Sequence, residues 1–176
     1  MENKLWYIFL DIDGVLDDEN YFMKCYNHHK VNGIMSMNHF PFNPESLYNL
    51  MILVQYIQNH DRQVKIILSS TWRLRELDIE IVKHRLAEYG LRIADKTENL
   101  GKRGDEIISF LSKNKEFENY IVLDDDIYDI KDIVINENIC RTDFMEGFNN
   151  EKLLEALNIV NSIIYINKNI IMEVER

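Results

Sequence analysis

Acidic residues suited to holding a metal ion occur at two places that lie far apart in the sequence. Asp11 and Asp13 flank one isoleucine and precede Gly14, and three consecutive aspartates stand at positions 124–126. Carboxylates a few ångströms apart raise each other's pKa and oppose folding unless a cation lies among them. Oxygen ligands in small number are typical of Mg²⁺, which keeps several waters and shares a phosphate with the protein. Calcium and zinc are disfavoured, because no loop has EF-hand spacing and no His/Cys cluster accompanies the acids.

Hydroxyl and basic residues add a second group of candidates. Ser69, Ser70 and Thr71 follow an apolar run, where they either bind phosphate or cap the next helix. Both uses are compatible, because a helix N-terminus also binds phosphate. Arg73, just beyond them, is a further candidate for contacting a substrate phosphate or base, and Trp72 is a candidate for packing at the rim of the site.

Three predicted strands position these residues. Residues 5–10, 64–68 and 120–123 are continuous apolar runs that stop at polar residues, which is typical of central strands in a parallel sheet. Ligands of such sheets bind beyond the carboxyl ends of the strands. Between the strands, helical patterns run over residues 44–60 and 75–89, and further helices begin near Gly104 and after Asn150. The alternation predicts an α/β fold, a single doubly wound Rossmann-like parallel sheet with helices on both faces.

The length of 176 residues and a hydrophobic content of 46% fit one domain over residues 1–176. Residues 17–43 show no clear period, and we interpret them as a small cap or flap. The tail from about Ile166 is a helix end, an edge strand or disorder.

Composition restricts the classes of partner and compartment. A net charge of -10 argues against a protein that coats nucleic acid in bulk, although a nucleic-acid end stays possible as a substrate. Two cysteines make no disulfide framework. No signal peptide is apparent, and no apolar run approaches the roughly 20 residues of a membrane span. We therefore expect a cytoplasmic protein with no membrane partner.

Four motifs together resemble the haloacid dehalogenase (HAD) superfamily. They occur in that family's order within residues 5–129, as FLDIDGVLDD, IILSSTWR, GKRGDEI and YIVLDDD. More narrowly, SSTWR, KRGDEI and VLDDD, with Gly147-Phe148 before the last helix, resemble the HAD domains grouped with multi-part RNA repair proteins.

The resemblance implies a role for each acid. Asp11 would be the nucleophile that forms an aspartyl-phosphate, and Asp13 would be the general acid and then the general base. Asp13 favours phosphatase chemistry, because family members that dehalogenate carbon lack this second acid. Mg²⁺ would be held by Asp11, the backbone carbonyl of Asp13 and Asp125, with Asp124 as a ligand or just behind the ligands.

Some positions leave alternatives open. Either Ser70 or Ser69 would bind the phosphate, and we prefer Ser70 because of its spacing from Trp72. Lys102 and Arg103 compete for the basic role that stabilises the transferring phosphoryl group, and we prefer Lys102 because it is a compact charge. Asp129 is an alternative to Asp124. Val15 replaces the threonine that is common after the glycine.

The expected function is a Mg²⁺-dependent phosphomonoester hydrolase with an aspartyl-phosphate intermediate. The stretch between Thr71 and Lys102 is too short for a large cap, so we expect an open site and a bulky substrate, such as a nucleotide or a nucleic-acid end. A small-metabolite phosphatase and a catalytically weak metal- and phosphate-binding regulatory domain are alternatives. A receiver-like signalling domain is disfavoured, because its acid pair and its phosphorylated aspartate lie on different strands.

For two clusters within residues 17–43 we favour a structural interpretation over a functional one. Cys25, His28 and His29 could form a metal site, but we favour the interpretation that they are surface residues. Base stacking is likewise weaker than a small satellite core for the aromatic residues, which are Tyr21, Phe22, Tyr26, Phe40 and Phe42.

Overall fold

The computed structural model describes residues 4–32 and 42–174, with side chains described outside 28–32 and 166–174. Its sheet has five parallel strands in the order β3-β2-β1-β4-β5. The strands are β1 (Leu5–Leu10), β2 (Gln63–Leu68), β3 (Ile93–Lys96), β4 (Asn119–Asp124) and β5 (Ile139–Arg141). The predicted α/β fold class is confirmed.

The described residues also form five α-helices, four of them between strands and one after the last strand. They are α1 (Glu19–Asn32), α2 (Pro44–Gln58), α3 (Glu76–Ala87), α4 (Arg103–Lys113) and α5 (Asn150–Val174). The four predicted helices correspond to α2 through α5. Helix α5 continues into the tail that begins at about Ile166, so of the three alternatives the tail is a helix end. The start of α2 follows the predicted cap, because the Asn43 side chain accepts a hydrogen bond from the Glu45 N–H at 3.0 Å.

Strand β1 is buried on both of its faces, which explains its unbroken apolar run. Its even-numbered residues pack in a core with α2, α3 and α5, and its odd-numbered residues pack in a second core with α4. The sheet therefore carries helices on both faces, as predicted. The two sets of β1 side chains are Trp6, Ile8 and Leu10 on the first face, and Leu5, Tyr7 and Phe9 on the second.

The register of the sheet brings distant residues to one edge. Leu10 pairs with Leu68 of β2 and with Leu123 of β4. The chain leaves β1 toward β2 and β3 on one side, while β4 and β5 extend the sheet on the other. The order therefore reverses between β1 and β4, and ligands of such sheets bind in the crevice at this point.

Residues 17–43 begin with helix α1, which the sequence pattern did not predict. Asp18 accepts hydrogen bonds from the Tyr21 N–H at 2.8 Å and from the Asn43 side chain at 2.6 Å, so it ties the start of α1 to the start of α2. Residues 33–41 lie outside the described part of the chain, and the cap or flap role of this segment stays a prediction.

Two further properties of the described chain concern the membrane and the cysteines. None of the described helices combines the length and apolar character that a membrane span requires. Cys25 and Cys140 are free thiols, the first half-buried and the second fully buried.

Candidate active site

Three aspartate side chains meet where β1 and β4 end. Asp11, Asp124 and Asp125 each offer a carboxylate oxygen, and these oxygens all lie within 4.8 Å of one another. Asp11 and Asp124 are buried, whereas Asp125 is half-buried. The backbone supports this meeting, because the Asp11 N–H donates a hydrogen bond to the Leu123 carbonyl at 3.0 Å.

Gly14 permits the close approach of the turn after β1 to Asp125. Its φ of +67° lies in the left-handed region. A Cβ atom at this position would lie 2.5 Å from the Asp125 Cγ, which is closer than any tolerated contact. A glycine is therefore required here for two independent reasons, and both serve to bring Asp125 against this turn.

Asp13 lies beside the carboxylate group without joining it. Its Oδ1 accepts a hydrogen bond from the Trp72 indole N–H at 3.0 Å, and its side chain is half-buried. Trp72 also packs edge to face on the buried ring of Phe42, with ring centroids 5.4 Å apart. The tryptophan therefore contacts both Asp13 and the core beside it.

Arg103, rather than Lys102, lies against the carboxylates. Its Nη1 is 2.7 Å from Asp124 Oδ2 and 3.3 Å from Asp11 Oδ1, and it also donates to the Ser69 carbonyl. Lys102 is the exposed residue before the first turn of α4. The geometry thus supports Arg103 rather than the preferred Lys102 for the basic role. Asp129 accepts from the Arg103 N–H at 2.9 Å and so caps α4, outside the carboxylate group.

Burial makes these carboxylates hard to ionise without a cation. Burial is the largest cause of the raised pKa of Asp11, and the positive charge of Arg103 acts to lower that pKa. Burial and the neighbouring Asp11 raise the pKa of Asp124 to about 8, again against Arg103. Burial also raises the pKa of Asp125. For Arg103, burial disfavours the charged form, but the surrounding carboxylates outweigh it and raise its pKa. The three carboxylates therefore outnumber the Arg103 guanidinium that lies against them.

The three hydroxyl candidates take different positions. Ser70 is buried, hydrogen bonds to Asp11, and accepts from the Trp72 N–H at 3.3 Å as the cap of the 3₁₀ turn Thr71–Leu74. Ser69 is buried, and its hydroxyl has no hydrogen-bond partner among the described residues. Thr71 is exposed and lines the cavity over the carboxylates. Ser70 is thus the hydroxyl in contact with the predicted nucleophile, and it also caps the turn.

Arg73 is tied into the protein by a buried ion pair. Its Nη2 lies 2.6 Å from Glu106 Oε2, and both side chains are at most 5% exposed. Glu106 also accepts hydrogen bonds from the N–H groups of Leu100 and Gly101 at 3.0 and 3.3 Å. Arg73 lines the carboxylate cavity, but its guanidinium is already bound, so the structure gives it a positioning role between the turn after β2 and α4.

Sequence reasoning missed Glu106 and the residues of a second cavity beside Asp13. The GKRGDEI motif contains Glu106, three residues after Arg103. On a helix this spacing places both side chains on one face, so Glu106 could have been predicted to face the strand ends together with Arg103. No comparable signal marked Leu74, Arg75, Asp78 and Ile81, which line the second cavity.

The remaining candidates divide between two locations. Phe42 is buried in the core against Trp72, while Phe22 and Tyr26 stack on α1 with ring centroids 6.4 Å apart. Phe40 and the side chains of His28 and His29 lie outside the described residues.

The donor set fits Mg²⁺. All of the converging side-chain atoms are carboxylate oxygens, and the spread of up to 4.8 Å is close to that of ligands about 2.1 Å from a shared ion. The excess of buried negative charge gives the site a physical reason to bind a divalent cation. A cavity of about 310 Å³ opens over this group, with Asp11, Thr71, Arg103, Asp124 and Tyr128 in its wall.

Comparisons with known proteins found a family match and a similar solved structure. A family model described as the HAD domain in Swiss Army Knife RNA repair proteins matches residues 7–153. Among solved structures, one from Vibrio cholerae described as a 3-deoxy-D-manno-octulosonate 8-phosphate phosphatase is similar at 14% identity and a TM-score of 0.43. That match covers 92% of this chain and 85% of the other. No curated protein sequence matches the chain.

Proposed function

The chain belongs to the HAD domains of Swiss Army Knife RNA repair proteins, and from this premise we propose that it is a Mg²⁺-dependent phosphomonoester hydrolase that forms an aspartyl-phosphate. Its class is that of HAD-type phosphatases. The metal, the covalent intermediate and the substrate are the proposal. The observation that supports it best is the convergence of Asp11, Asp124 and Asp125 within 4.8 Å at the crevice between β1 and β4.

The proposed reaction has two displacements at phosphorus. A carboxylate oxygen of Asp11 attacks, and the bond between phosphorus and the leaving oxygen breaks with its electron pair on that oxygen, which takes a proton from Asp13. Water then attacks the aspartyl-phosphate and gives a proton to Asp13. The bond between phosphorus and Asp11 breaks, which restores the carboxylate and releases inorganic phosphate.

The residues around Asp11 supply the charge balance that the attack needs. A bound Mg²⁺, held by Asp11, the Asp13 carbonyl and Asp125, would neutralise phosphoryl oxygens. Asp124 would orient Arg103 behind the ligands, and Arg103 would stabilise the charge of the transferring group through its fork of donors. Ser70, with Ser69 and Thr71 beside it, would donate to the phosphate.

Replacing the nucleophile tests the mechanism. Asp11→Asn is expected to abolish release of phosphate from p-nitrophenyl phosphate in the presence of Mg²⁺, because an amide cannot form the intermediate. Asp132→Asn is the matched control, since Asp132 is exposed and outside the site. Unchanged turnover in Asp11→Asn refutes the assignment.

Metal binding is tested separately from turnover. Calorimetric titration with Mg²⁺ is expected to show one site in the wild-type protein, and Asp125→Asn is expected to weaken it by about tenfold or more, whereas Asp132→Asn leaves it intact. A wild-type protein that binds no Mg²⁺ contradicts the proposal.

For the substrate, we propose a nucleotide or the phosphorylated end of a nucleic acid. One support is the description of the family, which names RNA repair proteins. The other is that the stretch between Thr71 and Lys102 contains only a 3₁₀ turn, α3 and β3, which leaves no room for a large cap. A panel of mononucleotides, sugar phosphates and 3′- or 5′-phosphorylated oligonucleotides tests this. Higher kcat/KM for sugar phosphates than for every nucleotide substrate would count against it.

A further inference from the structure

A second cavity adjoins the one that holds the carboxylates. It has a volume of about 510 Å³, which lies within the usual range of roughly 300–1,000 Å³ for small-molecule sites. Thr71 and Leu74 line both cavities and so form a wall that the two share. Among the described residues, Asp11 lines the first cavity and Asp13 the second. The predicted nucleophile and the predicted acid therefore border different compartments.

We propose that this second cavity binds the leaving group of the phosphate ester and prefers a leaving group with a flat, apolar face over a polyhydroxylated one. The inference rests on the proposed function, because it takes Asp13 as the donor to the leaving oxygen. With phosphorus over Asp11, the leaving oxygen must come within reach of Asp13. The remainder of the alcohol then extends into the compartment that Asp13 borders.

The lining of the cavity explains the preference. Trp72, Leu74 and Ile81 provide apolar surface. Apart from Asp13, the charged residues that line it are Arg75 and Asp78, and they bind each other with nitrogen to oxygen distances of 2.6 and 3.0 Å. Their charges are thus already satisfied. A sugar alcohol bound here would lose hydrogen bonds to water with few replacements, whereas a planar ring would gain by leaving water.

The Trp72 ring is a rigid part of this wall. Its indole N–H donates a hydrogen bond to Asp13 at 3.0 Å, and its ring packs edge to face on buried Phe42. These two contacts hold the side chain in place. A wall that is ordered before binding costs little conformational entropy when the ligand arrives. The same side chain thus contacts the acid and borders the compartment for the group that the acid protonates.

Two phosphonates test the preference without any turnover. Phenylphosphonate and methylphosphonate share one head group, and the bond between phosphorus and carbon is not hydrolysed. In calorimetric titrations of the full chain with Mg²⁺, phenylphosphonate is expected to bind about tenfold more tightly or better, from the apolar area of its ring. Equal affinities overturn the inference.

Paired leucine variants locate the effect. Leu74 is 55% exposed and lines the cavity, whereas Leu77 is 79% exposed on the same segment and does not line it. Leu74→Ser is expected to reduce the preference for the phenyl compound about threefold to tenfold, and Leu77→Ser to leave it unchanged. Equal effects of the two substitutions overturn the assignment to this cavity.

Hydrolysis separates this inference from the proposed function. If phenyl phosphate and glycerol phosphate are turned over with equal kcat/KM, the leaving-group preference is wrong while the hydrolase proposal stands. If neither these esters nor any member of the substrate panel is turned over, but phenylphosphonate is still preferred and Leu74→Ser reduces that preference, the cavity's ligand preference is supported and the hydrolase proposal falls.

Discussion

The indole N–H of Trp72 donates a hydrogen bond of 3.0 Å to Oδ1 of Asp13. This contact links the 3₁₀ turn after β2 to the turn after β1, across 59 positions of sequence. It fixes the orientation of the carboxyl group that the proposed mechanism uses as acid and base, and leaves Oδ2 for the proton transfer. Orientation of this kind contributes to rate because proton transfer needs the donor within hydrogen-bond reach of the leaving oxygen.

Trp72→Phe is expected to lower kcat/KM for phenyl phosphate by about tenfold, since the ring is kept and the orienting hydrogen bond is lost. The effect on kcat/KM for p-nitrophenyl phosphate is expected to be much smaller, because its leaving group departs without much help from an acid. Steady-state kcat/KM values, which report the steps up to the first displacement, check this for both substrates. Equal losses of kcat/KM on the two would mean that the contact does not position Asp13 as the acid.

Removing each basic residue at the start of α4 separates their roles. Arg103→Ala is expected to reduce kcat by about a hundredfold or more, because its guanidinium lies 2.7 Å from Asp124 and 3.3 Å from Asp11. Lys102→Ala, one position earlier and exposed, is the matched control and is expected to change kcat less than about threefold. Single-turnover measurements of p-nitrophenol release distinguish the two variants. The reverse order of effects would restore the role first predicted for Lys102.

The site shows which features the sequence determines and which it leaves open, such as the choice between Lys102 and Arg103. Long apolar runs reveal central strands, so the meeting of Asp11 with Asp124 and Asp125 follows from the general rule that parallel strands end at one edge. Whether position 102 or 103 points inward depends on where α4 begins, because consecutive residues on a helix differ by about 100°. The structure begins α4 at Arg103, with Asp129 bound to its N–H at 2.9 Å. That partner lies 26 positions away and no local pattern announces it.

Elements at the margins of the fold were missed for a similar reason. Strands β3 and β5 have only four and three residues, and β3 is largely exposed, so neither shows a buried apolar run. Helix α1 has too weak a separation of apolar and polar faces for a periodic signal. Its position depends on contacts such as the hydrogen bond from the Glu19 N–H to the Phe144 carbonyl, at 3.1 Å.

The buried pair of Arg73 and Glu106 is expected to be essential for stability. Glu106→Ala leaves the Arg73 guanidinium buried without its carboxylate, and also removes the acceptor for two backbone N–H groups. The expected loss is about 3–5 kcal/mol in the free energy of unfolding, measured by chemical denaturation. Lys113→Ala removes the exposed ion pair with Glu98 and serves as the control, with a nearly unchanged midpoint. A Glu106→Ala protein as stable as the control would contradict a structural role for this pair.

Asp17 is expected to make stability depend on pH near neutrality. Burial, followed by the nearby Asp13, Asp18 and Glu19, raises the pKa of Asp17 from 3.8 to about 7. Because the folded state holds the proton more tightly than the unfolded state, stability declines as pH rises through the window from about 4 to 7. Asp17→Asn removes the charge and is therefore expected to stabilise the protein at pH 8, by roughly 1–2 kcal/mol for a partly solvated group.

At pH 4 the same substitution is expected to change stability little, since the carboxyl group is then protonated in the folded state and still partly protonated in the unfolded state. Urea denaturation with a chelator present, at pH 4, 6 and 8, measures the difference between variant and wild type free of any metal contribution. Asp132→Asn, an exposed acid, is the control whose difference is expected to stay flat across this range. If the stability gain of Asp17→Asn is the same at pH 4 and pH 8, the raised pKa of Asp17 is refuted and the gain has another origin.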